Sequence, residues 1–196
     1  MIIEACLQDS SSTTAYFYCK ENDPEKNTCI SIFRGLLSQL LNRCQDLIPY
    51  CHDKYRTSGE LNLTTIKLAG QLLKLCCEIL PKLYIIIDGL DECDSDQRKL
   101  VLSFLTETVV HCDKDHNPGR LRVLLVSQDF LDIAKALQAA PILKLTAEDN
   151  KNDITAYVRV WCKKIQQKHA LRIDEVEDTE NATCIRAQGA VAPVLL

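Results

Sequence analysis

Apolar positions along the chain fall into two alternating patterns, one typical of strands and one typical of helices. Residues 83–87 are apolar at every position, which is typical of a strand buried on both faces of a parallel sheet. Residues 121–126 predict a second buried strand. Residues 14–19, which are rich in aromatic and β-branched side chains, predict a shorter strand, and residues 142–145 predict another brief one.

Between these strands, apolar residues recur with the 3.6-residue period of amphipathic helices. We expect Asn27 or Thr28 to cap the first helix, residues 49–59 to form a loop, and Trp161 to anchor the last helix in the core. Because strands and helices alternate, we predict an α/β sheet built from right-handed crossovers. The predicted helices are residues 28–44, 64–80, 95–112, 130–137 and 150–168.

Length and charge exclude several classes of protein. The chain has 196 residues and a net charge of −4, and it lacks the basic stripe that a dedicated nucleic-acid binder carries. It contains no run of about 18 apolar residues, so we expect no membrane span. Residues 1–12 lack the basic start of a secretory signal peptide, so we expect a cytoplasmic protein. We expect Arg120 and Arg122 to be solvated.

The eleven cysteines predict free thiols and no metal site. Their number is odd, and several of them, such as Cys76 and Cys77, fall within helical apolar patterns. A buried free cysteine behaves as a small apolar residue, and a reducing compartment keeps it free. No C-x-x-C pair occurs, so the ligand spacing of structural zinc sites is missing.

The stretch with the clearest chemical content is Ile-Ile-Ile-Asp-Gly-Leu-Asp-Glu at residues 85–92. Its apolar half predicts a buried strand, so Asp88 emerges at the carboxyl end, where open α/β sheets bind ligands. A carboxylate there can hold Mg²⁺ beside nucleotide phosphates, and Asp91 or Glu92 can orient a water molecule. The alternative is that Asp88 and Asp91 only cap the loop or the following helix. Polar residues also end the neighbouring predicted strand, at positions 127 and 128.

Several segments together resemble the NACHT domain of STAND-class P-loop NTPases, in the fungal-type, nephrocystin-like branch. The resemblance spans residues 1–165, so we assign residues 1–168 to a partial NACHT domain and residues 169–196 to a truncated C-terminal segment. The matching segments are AYFYCK at 15–20, PEKN at 24–27, FRGLLSQL at 33–40, IIIDGLDE at 85–92, LLVSQD at 124–129 and NDITAY at 152–157.

The resemblance implies a three-layer, P-loop NTPase-like parallel sheet and assigns roles to five residues. Asp88 would be the Mg²⁺ residue of the Walker B motif, Asp91 would orient the attacking water, and Glu92 would support it. Ser127 would take the sensor 1 position, and Gln128 stands where the family has an arginine. The cofactors of intact relatives would be Mg²⁺ and ATP or GTP.

The phosphate-binding loop of such a site, G-x-x-x-x-G-K-[ST], does not occur in this sequence. None of the six glycines precedes a lysine, and no two of them lie five residues apart. The resemblance implies that the chain begins inside the helix that follows this loop, which leaves the sheet incomplete. We therefore expect weak or absent nucleotide binding, and no useful hydrolysis by this chain alone.

Three functions stay open at this point. The first is a fragment of a signal-transduction ATPase or GTPase that retains Walker B and sensor 1. The second is a non-catalytic interaction module that self-associates, or pairs with full-length NACHT relatives, through an open sheet edge. The third is a cysteine hydrolase, although no cysteine stands at a strand-to-helix elbow with a plausible partner.

Overall fold

The structure, a computed structural model, describes residues 2–114, 118–144, 147–169, 178–179, 181–184 and 194–195. The helices are α1 (Ile2–Gln8), α2 (Cys29–Arg43), α3 (Ile48–Ser58), α4 (Ile66–Ile79), α5 (Ser95–Lys114), α6 (Leu131–Ala136) and α7 (Ala147–His169). The strands are β1 (Thr13–Tyr18), β2 (Leu83–Asp88), β3 (Leu121–Val126), β4 (Ile142–Leu143) and β5 (Val194–Leu195). Single 3₁₀ turns occupy Gln45–Leu47 and Leu90–Glu92.

The chain divides into two compact units. The first comprises Met1–Pro141 with Leu195–Leu196, and the second comprises Ile142–Val194. The first unit contains the three long strands and helices α1 to α6. The assignment of residues 1–168 to a partial NACHT domain is not tested by this division and stays a prediction. Most of the truncated C-terminal segment assigned to residues 169–196 lies outside the described residues.

Three strands of the first unit form a parallel sheet in which β2 lies between β1 and β3. The register runs from Thr13 opposite Leu83 to Tyr18 opposite Asp88, and Asp88 in turn lies opposite Val126. Ile85 and Ile87 on one face of β2 and Ile86 on the other are all buried. The prediction of an α/β fold with a parallel sheet and a strand buried on both faces is therefore confirmed.

The core of the first unit forms where α2 packs against β1 and α4 packs against α2. Thr28 caps α2, because its side chain accepts a hydrogen bond from the Ser31 N–H and the Ser31 hydroxyl accepts one from the Thr28 N–H. Thr65 likewise occupies the N-cap position of α4. The largest fully buried side chains of these two helices are Phe33, Ile32, Leu36, Leu40 and Leu73.

Side chains of α2 cover the outer edge of β1. The Gln39 side-chain amide accepts a hydrogen bond from the Tyr16 N–H (3.1 Å) and donates one to the Tyr16 carbonyl (2.6 Å). Arg43 donates to the Thr14 carbonyl. The backbone groups that face away from β2 are thus partly satisfied by side chains, which disfavours pairing of another strand along this edge.

The predicted loop at residues 49–59 is wrong, because α3 occupies Ile48–Ser58. Pro49 lies in the first turn of this helix, where a missing N–H breaks no hydrogen bond. Gly59, with φ of 73°, ends the helix in the left-handed conformation. Cys51 is its only buried residue, so the apolar periodicity that would have indicated a helix is absent.

Two other predicted placements are also wrong. Trp161 is 46% exposed, and the Lys164 ammonium lies 4.6 Å from the centre of its ring. The Arg120 guanidinium is half-buried and donates from Nη2 to the carbonyls of Cys77 and Glu78 at the end of α4. These contacts satisfy carbonyls that the end of a helix leaves without partners. Arg122 is exposed, as predicted.

Within the described part of the chain, no helix combines the length and the apolar character needed to cross a membrane.

Candidate functional site

The candidate site lies at the carboxyl end of β2, where three strand ends meet. The Cys19 N–H after β1 donates to the Asp88 carbonyl at 2.8 Å. The Gly89 N–H donates to the Val126 carbonyl of β3 at 2.9 Å. Asp88 therefore stands between the ends of β1 and β3, in the position that open parallel sheets use for ligands.

Gly89 turns the chain directly after Asp88. Its φ of 73° lies in the left-handed region, and a side chain there would also stand 3.4 Å from the Cys19 carbonyl. The 3₁₀ turn Leu90–Glu92 follows, and Leu90 anchors it because its side chain is fully buried. We call residues 88–92 the acidic turn. Its geometry brings Asp91 and Glu92 back toward the end of the sheet.

Two carboxylates of the acidic turn accept backbone hydrogen bonds from neighbouring segments. Asp91 Oδ1 accepts the Gln128 N–H, just after β3, at 3.1 Å. Glu92 Oε2 accepts the Glu21 N–H, after β1, at 2.7 Å. Each acid is thereby tied to the segment that follows a neighbouring strand, and each keeps its other carboxylate oxygen for further contacts.

Asp88 is the third carboxylate, and its surroundings oppose its negative charge. Burial raises its pKa, the charges of Asp91 and Glu92 raise it further, and the Gly89 N–H opposes them. None of the three carboxylates forms an ion pair with a residue that the structure describes. A bound cation would offset this excess negative charge.

Among the described residues, no three His, Cys, Asp or Glu side chains form a group that could hold a metal ion. Asp88 therefore fits Mg²⁺ only as an ion that keeps most of its water ligands and binds through one or two carboxylates, with phosphate oxygens replacing water where a nucleotide is bound.

Ser127 and Gln128 follow β3 directly, next to the acidic turn, and their side chains differ in exposure. Ser127 is 1% exposed, and its hydroxyl donates to the Gln128 carbonyl at 2.9 Å. Gln128 is exposed, and its backbone N–H makes the contact with Asp91. The structure thus brings all five predicted site residues to the carboxyl ends of β2 and β3.

Sequence reasoning missed Arg98, which contacts the acidic turn from the first part of α5. Its guanidinium is buried and donates to the carbonyls of Asp91 and Cys93. A signal was present, because Arg98 precedes Val101, Leu102 and Leu105 at helical spacing on the buried face of α5. A charged residue on an apolar stripe calls for a buried partner.

A family model described as the N-terminal region of nephrocystin 3 matches residues 1–128. This match covers most of the chain and includes every residue of the candidate site. The chain belongs to the nephrocystin-3 N-terminal family. This membership supports the nephrocystin-like, NACHT-related resemblance that the sequence motifs indicated.

One curated relative of this nephrocystin-3 N-terminal chain is the vegetative incompatibility protein HET-E-1 of Podospora anserina, which is 26% identical over 155 residues. The match covers 74% of this chain but only 11% of the relative, so this chain corresponds to a small part of that protein. No solved structure matches the chain significantly.

Proposed function

We propose that this chain forms the Mg²⁺-binding and water-orienting half of a nucleotide site in a NACHT-type signalling NTPase. The observation that carries the proposal is the acidic turn, which places three carboxylates without an ion-pair partner among the described residues directly after the carboxyl end of β2. Membership of the nephrocystin-3 N-terminal family supports this assignment.

Each of the three acidic residues would have a different role. Asp88 would hold Mg²⁺ as the Walker B carboxylate, because it ends the central strand β2 at the carboxyl edge of the sheet. Asp91 would orient the attacking water through Oδ2, and Glu92 would support it through Oε1, because their other oxygens already accept backbone N–H groups. Ser127 and Gln128 would line the sensor 1 position.

The three-stranded sheet would be part of a three-layer, P-loop NTPase-like sheet. The sequence of 196 residues contains no G-x-x-x-x-G-K-[ST] segment, whose backbone N–H groups and lysine hold the phosphates. We therefore propose that this chain alone binds ATP or GTP weakly or not at all and does not hydrolyse it. The free thiols suit a reducing compartment such as the cytoplasm.

The cation site is tested by titrating Mg²⁺ into the isotope-labelled chain and following backbone amide signals. We expect the signals of Gly89 and Gln128 to shift with Mg²⁺ at up to about 10 mM. The shifts should disappear in Asp88→Asn and persist in Asp53→Asn, a matched change on the exposed surface of α3. Unchanged signals in the parent chain would refute the cation site.

The nucleotide part is tested separately with fluorescent ATP and ADP analogues, with and without Mg²⁺. We expect dissociation constants weaker than about 100 μM for the chain alone. Micromolar binding that depends on Mg²⁺ and is lost in Asp88→Asn would show that the missing phosphate loop does not disable the site.

A second candidate is a non-catalytic interaction module, which the missing phosphate loop favours. The covered edge of β1 argues against pairing along that strand. Sedimentation of the chain alone, and of the chain mixed with a NACHT relative that contains the phosphate loop, distinguishes the two. Stable complexes that are unaffected by Asp88→Asn and by nucleotide would support the module over the half-site.

A further inference from the structure

Arg98 is a buried cation at the junction of the acidic turn and the segment that follows β3. It is only 7% exposed, and an arginine is rarely buried to this extent unless its guanidinium is paired. Toward the acidic turn, Nη1 donates to the Asp91 carbonyl at 3.1 Å and to the Cys93 carbonyl at 2.6 Å. Arg98 therefore holds the backbone at the end of the acidic turn.

The same guanidinium also contacts the segment after β3. Nε and Nη2 both approach Oδ2 of Asp132, at 3.1 and 3.0 Å, in the first turn of α6. The guanidinium carbon lies 4.7 Å from the centre of the Phe130 ring, within the range of a cation–π contact. One planar side chain thus joins two segments that are distant in sequence.

These contacts lie alongside the hydrogen bond from the Gln128 N–H to Asp91 Oδ1. That hydrogen bond requires the acidic turn and the segment after β3 to keep a fixed separation. The fork of N–H groups on arginine can serve both segments at once, whereas the single ammonium of lysine cannot reproduce the planar, multi-point geometry. The chemistry of the contact therefore selects arginine.

We infer that Arg98 is a positioning residue that locks the acidic turn to the segment after β3, so that Asp91 stays beside Gln128. The inference deepens the proposed function and rests on it for its significance, since this lock would keep the water-orienting acid beside the sensor position. The geometric lock itself is testable without Mg²⁺ or nucleotide.

The test is native-state hydrogen exchange of the full chain, comparing Arg98→Lys and Arg98→Met with the parent. We expect the Gln128 amide to exchange about tenfold faster in both variants, because the turn then opens locally. The Ile86 amide, in the central strand, should change less than about twofold, since its exchange reports on opening of the core. If Arg98→Met does not fold, Arg98→Lys alone carries the test.

Ile32→Val is the matched control, because it removes one methyl group from a fully buried side chain of α2. It should accelerate exchange at Ile86 and leave the local opening at Gln128 unchanged, which is the reverse of the Arg98 pattern. Equal acceleration at Gln128 and Ile86 in Arg98→Lys would make Arg98 a general packing residue and overturn the inference. No acceleration at Gln128 would overturn it as well.

Because this readout involves no ligand, its failure is distinguishable from failure of the proposed function. Absence of Mg²⁺ shifts in the parent chain with the Arg98 pattern intact would refute the cation site and keep the lock. Mg²⁺ shifts in the parent chain without the Arg98 exchange pattern would support the cation site and refute the lock.

Discussion

At the scale of single residues, Asp88 shows a conflict between stability and chemistry. Folding moves its carboxylate into a half-buried position beside two further carboxylates, and no lysine or arginine pairs with it among the described residues. Proteins retain such unfavourable charges mainly where function requires them. The consequence for stability can be measured directly.

We expect Asp88→Asn to stabilise the protein at pH 7 by about 0.5 to 1 kcal/mol. The pKa of Asp88 in the folded state lies above its ordinary value of 3.8, so the folded state binds more protons and stability falls as pH rises through that interval. The gain from Asp88→Asn should therefore vanish below the ordinary pKa. Urea unfolding at pH 7 and at about pH 3.5 measures both free energies of unfolding.

The control for this prediction is Asp53→Asn, whose side chain is 83% exposed on α3 and which should change stability by less than about 0.5 kcal/mol. A loss of stability at pH 7 in Asp88→Asn would contradict the prediction, because it would mean that the charge is stabilised by its surroundings.

At the scale of elements, the close approach of α2 to β1 requires a glycine in the middle of a helix. A Cβ atom on Gly35 would stand 2.6 Å from Cδ2 and Cε2 of the Phe17 ring. Helix propensity alone favours alanine over glycine by about 1 kcal/mol at such a position. Packing and propensity therefore act in opposite directions here.

We expect Gly35→Ala to destabilise the protein by about 1 kcal/mol, since overpacking a tight contact costs about 1 to 3 kcal/mol and exceeds the gain in propensity. Gly70→Ala in α4 is the matched comparison. Its new Cβ would lie 3.4 Å from Phe33 and Phe104, an ordinary contact, so it should be neutral or stabilising. Chemical denaturation of both variants measures the difference, and a stabilised Gly35→Ala would show that the Phe17 ring shifts to accommodate the added methyl group.

The same helix protects the edge of β1 through the Gln39 side chain. We expect Gln39→Ala to accelerate exchange of the Tyr16 amide about tenfold, because that N–H loses its acceptor. Ser38→Ala, at the neighbouring exposed position of α2, should leave Tyr16 unchanged. Sedimentation of both variants then reports whether uncovering the edge promotes association. An unchanged Tyr16 exchange rate in Gln39→Ala would show that the side-chain contact does not protect the strand.

At the scale of the whole molecule, the distribution of thiols reports on the fold. All eleven cysteines are free, and only Cys6, Cys44 and Cys184 are half-buried, while the other eight are buried. Burial raises the pKa of Cys29 and of Cys77 to about 12 in each case. Since the thiolate is the reactive form, these buried thiols should be nearly inert in the folded protein.

We expect a thiol reagent such as dithiobis-nitrobenzoate at neutral pH to modify Cys6, Cys44 and Cys184 first, and all eleven cysteines only after denaturation. Peptide mass mapping during the reaction identifies the order. Early modification of Cys77 or Cys29 would contradict the buried core described here, and fewer than eleven reactive thiols after denaturation would indicate disulfides.

Local sequence patterns determined most of the elements of this protein. Helical periodicity and a capping residue at position 27 or 28 predicted α2, and an uninterrupted apolar run predicted that β2 is buried on both faces. These features depend on residues a few positions apart, so they can be predicted from the sequence without the tertiary structure. The acidic turn was also visible, because its charged residues follow directly after a buried strand.

Only the tertiary structure decided how the site is held together. The Gln128 amide meets Asp91 across 37 positions, and the Glu21 amide meets Glu92 across 71 positions. The partners of Arg98 and the exposure of Trp161 were likewise not predicted from the sequence. Such contacts depend on how the elements pack, and a long-range contact leaves no periodic trace in the residues that form it.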